Sequence, residues 1–315
     1  MPRIRSRRSS ASADEAAPAV AESAELSAPV SPGVELCYQT FGDPDAEPLL
    51  LVMGLGGPMT WWDPALCRIL AESGFYVIRY DNRDTGRSSH GSGRVSRAML
   101  VRAFLGRRVN APYALTDLAE DAFGLLDHLG IESAHVVGVS MGGMISQTMA
   151  ITQQARVRSL VSIMSTTGRR TVGWLDPRLA PMMIGRRGAT LEEYIEASVK
   201  GAAAIGSPAY LEGDEAARAR ARQTWDRGLN PAGVMRHMMA VLTQPNRARA
   251  LQSLQIPATV IHGTNDRMVH VSGGRATAQA IPGAQLLLVP GMGHDLPPAL
   301  FETFRDAIRE TADRV

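Results

Sequence analysis

Ala134-His135-Val136-Val137-Gly138-Val139-Ser140-Met141-Gly142-Gly143-Met144-Ile145-Ser146-Gln147-Thr148-Met149-Ala150 is the stretch that decides the fold. Its apolar start, Ala134 to Val137, reads as a short buried strand, and Gly143 to Ala150 reads as a helix. Between them Gly138-Val139-Ser140-Met141-Gly142 forms a Gly-x-Ser-x-Gly pattern in a strand, sharp turn, helix context. A serine held in a strained turn needs neighbours two residues away without side chains, or strand and helix collide. On this reading Ser140 is an exposed nucleophile and the chain is a hydrolase. In a chain with 30 glycines the bare five-residue pattern can arise by chance. The remaining sequence must therefore supply a base, an acid and an oxyanion hole.

The 315 residues suffice for one large domain or two small ones with a substantial core. No apolar run approaches the roughly 18 residues that a spanning helix needs, so no membrane span is expected. A formal charge of +2 gives no general reason to expect a nucleic-acid partner. Lys200 is the only lysine, and this arginine bias points to a GC-rich, bacterial coding genome. Two cysteines, Cys37 and Cys67, are too few for a disulfide framework and read as buried free thiols. Residues 1–32 differ in kind. Arg3, Arg5, Arg7 and Arg8 precede a tract of Ala, Ser, Glu and Pro that cannot bury a core, so a disordered tail is expected. Arg7-Arg8 hints at an export signal, but Ser9 to Glu15 is no apolar h-region, and a cytoplasmic protein is expected.

Beyond the tail, Val34–Tyr38, Pro48–Met53, Phe75–Tyr80, Val157–Met164, Ala258–Ile261 and Ala284–Val289 read as further strands. Trp62–Ser73 and Thr116–Leu129 have helical spacing between them. Apolar strands alternating with helices indicate an α/β fold, a mostly parallel central sheet flanked by helices, with ligands at the C-terminal strand ends. The alternation stops from Ser165 to about Leu251, where Leu191–Ala204, Glu215–Arg227 and Ala232–Leu242 read as helices. That is too long for a simple loop. Residues 169–251 are read as a helical cap inserted after the sixth strand, and 33–168 with 252–315 as the core. Met235, Met238, Met239 and Leu242 fall at helical spacing, either as packing against the core or as an adaptable apolar wall for a substrate.

A serine hydroxyl is a weak nucleophile and needs a base, itself oriented by a third group. Of seven histidines, His294 follows the last apolar strand in a glycine-flexible loop, Pro290-Gly291-Met292-Gly293-His294. His90 and His128 read as solvated, and His135, His237, His262 and His270 are less favourably placed. Asp266 closes the strand before His294 by a short turn, and the order Ser140, Asp266, His294 is that of α/β-hydrolases. Asp295 reads as solvated. The Met141 N–H is one oxyanion donor by construction. The second is expected from Gly54-Leu55-Gly56-Gly57, with the Leu55 N–H as the choice.

With these residues placed, the chain from about Val34 resembles the α/β-hydrolase superfamily. Leu51-Val52-Met53-Gly54-Leu55-Gly56-Gly57 and Arg79-Tyr80-Asp81-Asn82-Arg83-Asp84-Thr85-Gly86-Arg87-Ser88 look like the bacterial aclacinomycin methylesterase-like and mycobacterial lipase-like esterases. Many relatives have His-Gly where this chain has Met53-Gly54, so a histidine contact is expected to be absent there. The resemblance implies a serine esterase acting on an apolar small-molecule ester or acyl chain. Alternatives are a carbon–carbon bond or thioester hydrolase with the same triad, or a ligand receptor that retains it. No metal-ligand cluster or phosphate loop is present in the sequence, and no cofactor is expected.

Overall fold

The computed structural model describes residues 20–179, 182 and 188–315. Eight strands form one sheet: β1 (Leu26–Ser31), β2 (Val34–Phe41), β3 (Glu47–Val52), β4 (Phe75–Tyr80), β5 (Ala134–Val139), β6 (Val157–Ile163), β7 (Ala258–Gly263) and β8 (Gln285–Val289). Their order is β1-β2-β4-β3-β5-β6-β7-β8. The pairs β1–β2 and β2–β4 are antiparallel, and every other neighbouring pair is parallel. All positions of β5 and β7 are buried, as strands covered on both faces require.

Alternation along the strands sorts side chains into two apolar layers. Leu50 and Val52 of β3 face a cluster that includes Leu118, Phe123 and Leu125 of α3 (Leu115–His128) and Ile145 of α4 (Met141–Thr152). Leu49 and Leu51 face the opposite layer. There Leu66 and Leu70 of α1 (Pro64–Glu72) meet Phe304 and Ile308 of the C-terminal helix (Phe301–Ala312). Helix α1 begins where its sequence asks: the Asp63 side chain accepts from the Ala65 N–H at 2.7 Å, with Pro64 at the first helical position.

Six further helices complete the described core and its surroundings. Helix α2 (Arg97–Phe104) lies between β4 and α3, and was not anticipated in the sequence. Between β6 and β7 the described residues contain no strand. They form α5 (Leu191–Ile205), α6 (Asp214–Arg227), α7 (Pro231–Thr243) and the short α8 (Ala248–Leu251). After β7 comes α9 (Ser272–Ala280), and Phe301–Ala312 is α10. The stripe Met235, Met238, Met239 and Leu242 packs on Leu100 and Ala103 of α2, so these side chains answer to a neighbouring helix.

The tail expected over residues 1–32 needs correction. Residues 1–19 lie outside the described residues, but Leu26–Ser31 is an edge strand. Ala28 pairs with Leu36 and is fully buried, and Val30 packs against Gly124 of α3, where a Cβ would stand 2.5 Å from the Val30 carbonyl oxygen. Pro29 is tolerated because an edge strand has one unpaired side. The averaged composition hid this short segment. Both cysteines are buried and free, and burial pushes each thiol up to about 12.

A chain beginning at Val34 loses β1 and the Glu25 side chain. Its melting temperature should fall by more than about 5 °C relative to a chain beginning at Val20, at about 2–4 °C per kcal/mol. Equal melting curves for the two truncations would refute the structural weight given to this strand.

Candidate active site

Ser140 joins β5 to α4 with φ 55° and ψ −117°, a conformation that side chains other than glycine adopt only when their surroundings enforce it. Its N–H donates to the Ile163 carbonyl at 2.9 Å, and its carbonyl accepts from Ser165 Oγ at 2.8 Å. The flanking glycines allow this approach. A Cβ on Gly142 would lie 2.0 Å from the Val52 carbonyl oxygen, and one on Gly138 would lie 2.3 Å from that of Gly142.

The three residues singled out in the sequence meet here. Ser140 Oγ–H donates to His294 Nε2 at 3.0 Å, and His294 Nδ1–H donates to Asp266 Oδ2 at 2.8 Å. Asp266 is held from its other side: Oδ1 accepts from the Met268 and Val269 N–H groups, each at 2.9 Å. Burial alone would raise the Asp266 carboxyl, but the imidazole of His294 and a hydrogen bond from His262 outweigh it and hold it at about 2. The carboxylate is therefore ionised throughout the neutral range. His262 is fully buried and donates Nε2–H to the Val269 carbonyl at 2.8 Å, fixing the turn that carries Asp266.

The loop after β3 runs beside Ser140. A Cβ on Gly54 would lie 3.2 Å from Ser140 Cβ, so only a bare backbone passes freely. Asn82 Nδ2 donates to the Met53 carbonyl at 3.0 Å, and Asp81 Oδ1 accepts from the Met59 N–H at 2.7 Å. The third tie comes from α7: the Gly56 N–H donates to His237 Nδ1 at 3.2 Å. That contact fixes the tautomer, because an N–H requires an unprotonated nitrogen; Nε2–H of His237 then donates to the Arg83 carbonyl at 2.9 Å. Gly57 N–H is taken by the Gly54 carbonyl. Among the described residues the Leu55 N–H finds no acceptor, and Met141 stands first in α4, where a helix leaves its amides unpaired.

The loop carries no histidine of its own, as expected, but His237 reaches it through space from α7. Nothing in its sequence position, mid-helix and far along the chain, marked it. The stretch Arg79 to Ser88 also acquires a purpose. Asp81 pairs with Arg227 of α6 at 2.7 Å while Arg227 reaches Glu25 at 2.6 Å; Asp84, in the left-handed region at φ 70°, pairs with Arg236 of α7 at 2.5 Å. Burial opposes the Arg227 charge, but its two carboxylate partners hold it firmly protonated.

Asp295 is not solvated as its position suggested. It accepts from the N–H and Oγ of Ser207, and burial raises its carboxyl. The His294 N–H donates to the Ile205 carbonyl at 2.7 Å and Gly293 N–H to Ser207 Oγ at 2.8 Å. The end of α5 and Ser207 just beyond it therefore grip the histidine loop as α6 and α7 grip the loop after β3. Met59, Met141 and Met292 are sealed in the interior, whereas Trp61 is 37% exposed and Leu55 is partly exposed.

A parallel sheet with a strained serine at this turn, an acid after β7 and a histidine after β8 defines a class. The family described as the alpha/beta hydrolase fold matches residues 47–297, and the chain belongs to it. It is a hydrolase. Among curated relatives, rhodomycin D methylesterase DauP of Streptomyces sp. (strain C5) is 30% identical over 297 residues, covering 87% of this chain and 94% of that one. Rhodomycin D methylesterase DnrP of Streptomyces peucetius is also 30% identical, with the same coverage. The crystal structure of the enol-lactonase from Burkholderia xenovorans LB400 superposes with a TM-score of 0.69 at 22% identity, over 89% of this chain and 97% of that one, a likeness of fold.

Two buried histidines weaken the fold in mild acid, against the opposite trend of Asp121 and Asp295, whose carboxyls burial raises. Burial lowers both His237 and His135 to about 4, from 6.5 for a free imidazole. Between those values the unfolded chain binds protons that the folded chain refuses, so stability falls as pH drops from about 6.5 to about 4. The loss amounts to at most about 3 kcal/mol for each group. Urea unfolding at a series of pH values should show this slope, and His237→Asn should reduce it by about one proton. A flat stability between pH 6.5 and 5 would contradict the assignment.

Proposed function

We propose that this hydrolase cleaves the carboxylic ester of an apolar small molecule or acyl chain through an acyl-enzyme formed on Ser140. The observation that carries the proposal is the unbroken relay from Ser140 Oγ through His294 to Asp266, aligned at 3.0 and 2.8 Å on a strained turn. His294 takes the serine proton as Oγ attacks the carbonyl carbon. Asp266, acting as acceptor only, keeps the imidazole in the tautomer that can do so and stabilises its cation. The developing oxyanion is held by the N–H groups of Met141 and Leu55, the first aided by the positive end of α4. His294 then returns the proton to the departing alcohol, and water activated by the same imidazole releases the acyl group. The methylesterase relatives, aligned along most of their length, support an ester as the substrate. Leu55, half-buried next to the Gly54 that approaches Ser140, and Trp61, 37% exposed just after the same loop, favour an apolar group.

The helices between β6 and β7 act in this reading as a cap that also braces the site. His237 holds Gly56, the neighbour of the proposed donor Leu55, at the correct height.

Ser140→Ala should cost around 10⁶ in ester turnover while melting unchanged, and a purified variant retaining more than a few per cent of activity would sink the acyl-enzyme. His237→Leu removes the acceptor for Gly56 and should lower kcat roughly tenfold or more with little change in KM. His237→Asn, whose Oδ1 can take the place of Nδ1, should recover much of that loss. Equal losses in both variants, in step with their melting temperatures, would reduce His237 to a packing residue.

A further inference from the structure

Helix α2 divides its faces unusually. Leu100 and Ala103 are buried against Met239 of α7, and Ser96 Oγ caps the start by accepting from the Met99 N–H at 3.2 Å. On the outward side Val101, Phe104 and Leu105 are 57%, 67% and 66% exposed. Spaced at i, i+3 and i+4, they form one continuous apolar ridge. Single exposed apolar side chains are ordinary on a protein surface, but three of the ten large exposed ones among the described residues stand in this one turn.

The charge around the ridge is of one sign. Arg94, Arg97, Arg102, Arg107 and Arg108 are exposed, and none makes an ion pair among the described residues. No Asp or Glu occurs from Thr85 to Thr116. Arg170 closes the helix from outside, donating to the Ala103 and Phe104 carbonyls at 2.7 and 2.8 Å, so the ridge is held in place rather than left to fray. The chain's net charge of only +2 makes this local concentration of arginine a property of the face.

We propose that this face docks the enzyme on the surface of an anionic lipid bilayer, with Val101, Phe104 and Leu105 entering the headgroup layer and the arginines lying among the phosphates. A helix with exposed aromatic and aliphatic side chains and a basic margin has the composition of an interfacial anchor, and arginine stems reach along apolar surface to keep their heads at the polar level. A nucleic acid would satisfy the arginines and leave the ridge in water. Among the described residues no helix is long and apolar enough to cross a membrane, so the contact is peripheral. It also lies on the catalytic side: α2 follows the C-terminal end of β4 and rests on α7, the helix that touches Gly56. An ester dissolved in the bilayer would meet the protein with its site turned toward the source.

The test is co-sedimentation of the full-length protein with vesicles of phosphatidylcholine alone and of phosphatidylcholine mixed with phosphatidylglycerol, at low and high salt. Binding should require phosphatidylglycerol and weaken with salt. It should drop roughly tenfold or more in Phe104→Ser/Leu105→Ser and in Arg97→Gln/Arg102→Gln/Arg107→Gln/Arg108→Gln, with folding by circular dichroism intact. Turnover of a water-soluble aryl ester should be unchanged in the first variant, and a chain beginning at Val20 should still bind. Three results overturn the proposal: no preference for anionic vesicles, binding that survives both sets of substitutions, or binding lost with residues 1–19 alone. Concentration-dependent self-association abolished by Phe104→Ser/Leu105→Ser, without vesicle binding, would assign the ridge to a second copy instead.

Discussion

The backbone of Ser140 stands in a conformation it would not hold by itself, and much of the molecule is arranged to hold it there. The cost of such a residue is of order 1–3 kcal/mol, carried by surroundings that leave no alternative. Its N–H is fixed to β6, its carbonyl to Ser165, and α4 starts at the next residue. Strand β3 approaches so closely that Gly142 can bear no side chain. The central parallel strands thus work as a vice. Their tight spacing, set by apolar layers on both faces, points Oγ outward at the level reached by the loops after β7 and β8.

Those loops are not free to wander, and neither is the loop after β3. Each is bound to the segment between β6 and β7 by polar contacts: His237 to Gly56 and Arg227 through Asp81 to the Met59 N–H for the loop after β3, Arg267 to the Ala204 carbonyl for the loop after β7, and Ser207 to Asp295 beside His294 for the loop after β8. Buried ion pairs such as Arg227 with Asp81 and Glu25 are not an efficient source of stability, since desolvation consumes most of their attraction. They are demanding about geometry, because an unpaired member is strongly penalised, typically by 3–5 kcal/mol. Specification of one arrangement is what a site made from distant parts of the chain requires.

This division explains what could be read in the sequence. The sheet was legible because its buried strands are short apolar runs, and Ser140, Asp266 and His294 each stand just beyond one of them. The edge strand Leu26–Ser31 was not, because only Ala28 is fully buried and the surrounding composition is that of a tail. Helix α2 was obscured by its own exposed apolar ridge, which blurs the amphipathic period. His237 and Ser207 could not be found at all by pattern. Their partners are backbone groups far away in sequence, and such contacts leave no spacing rule behind. Conversely, Arg79 to Ser88 was noticed only as a resemblance, and its hydrogen bonds supply the physical reason for nearly every polar residue in it.

The sheet order has a consequence for a chain being made from its N-terminus. Strands β7 and β8 add together at one edge, after the long helical excursion, and they bring Asp266 and His294. A nascent chain that has completed β6 carries Ser140 but neither of the residues proposed to activate it, and its β6 flank is an open row of hydrogen-bonding groups. On the proposed mechanism the enzyme is chemically silent through most of its own synthesis. The same two strands cover the β6 flank, through which a half-made sheet would pair with its neighbours, and leave the short β8 as the outer edge.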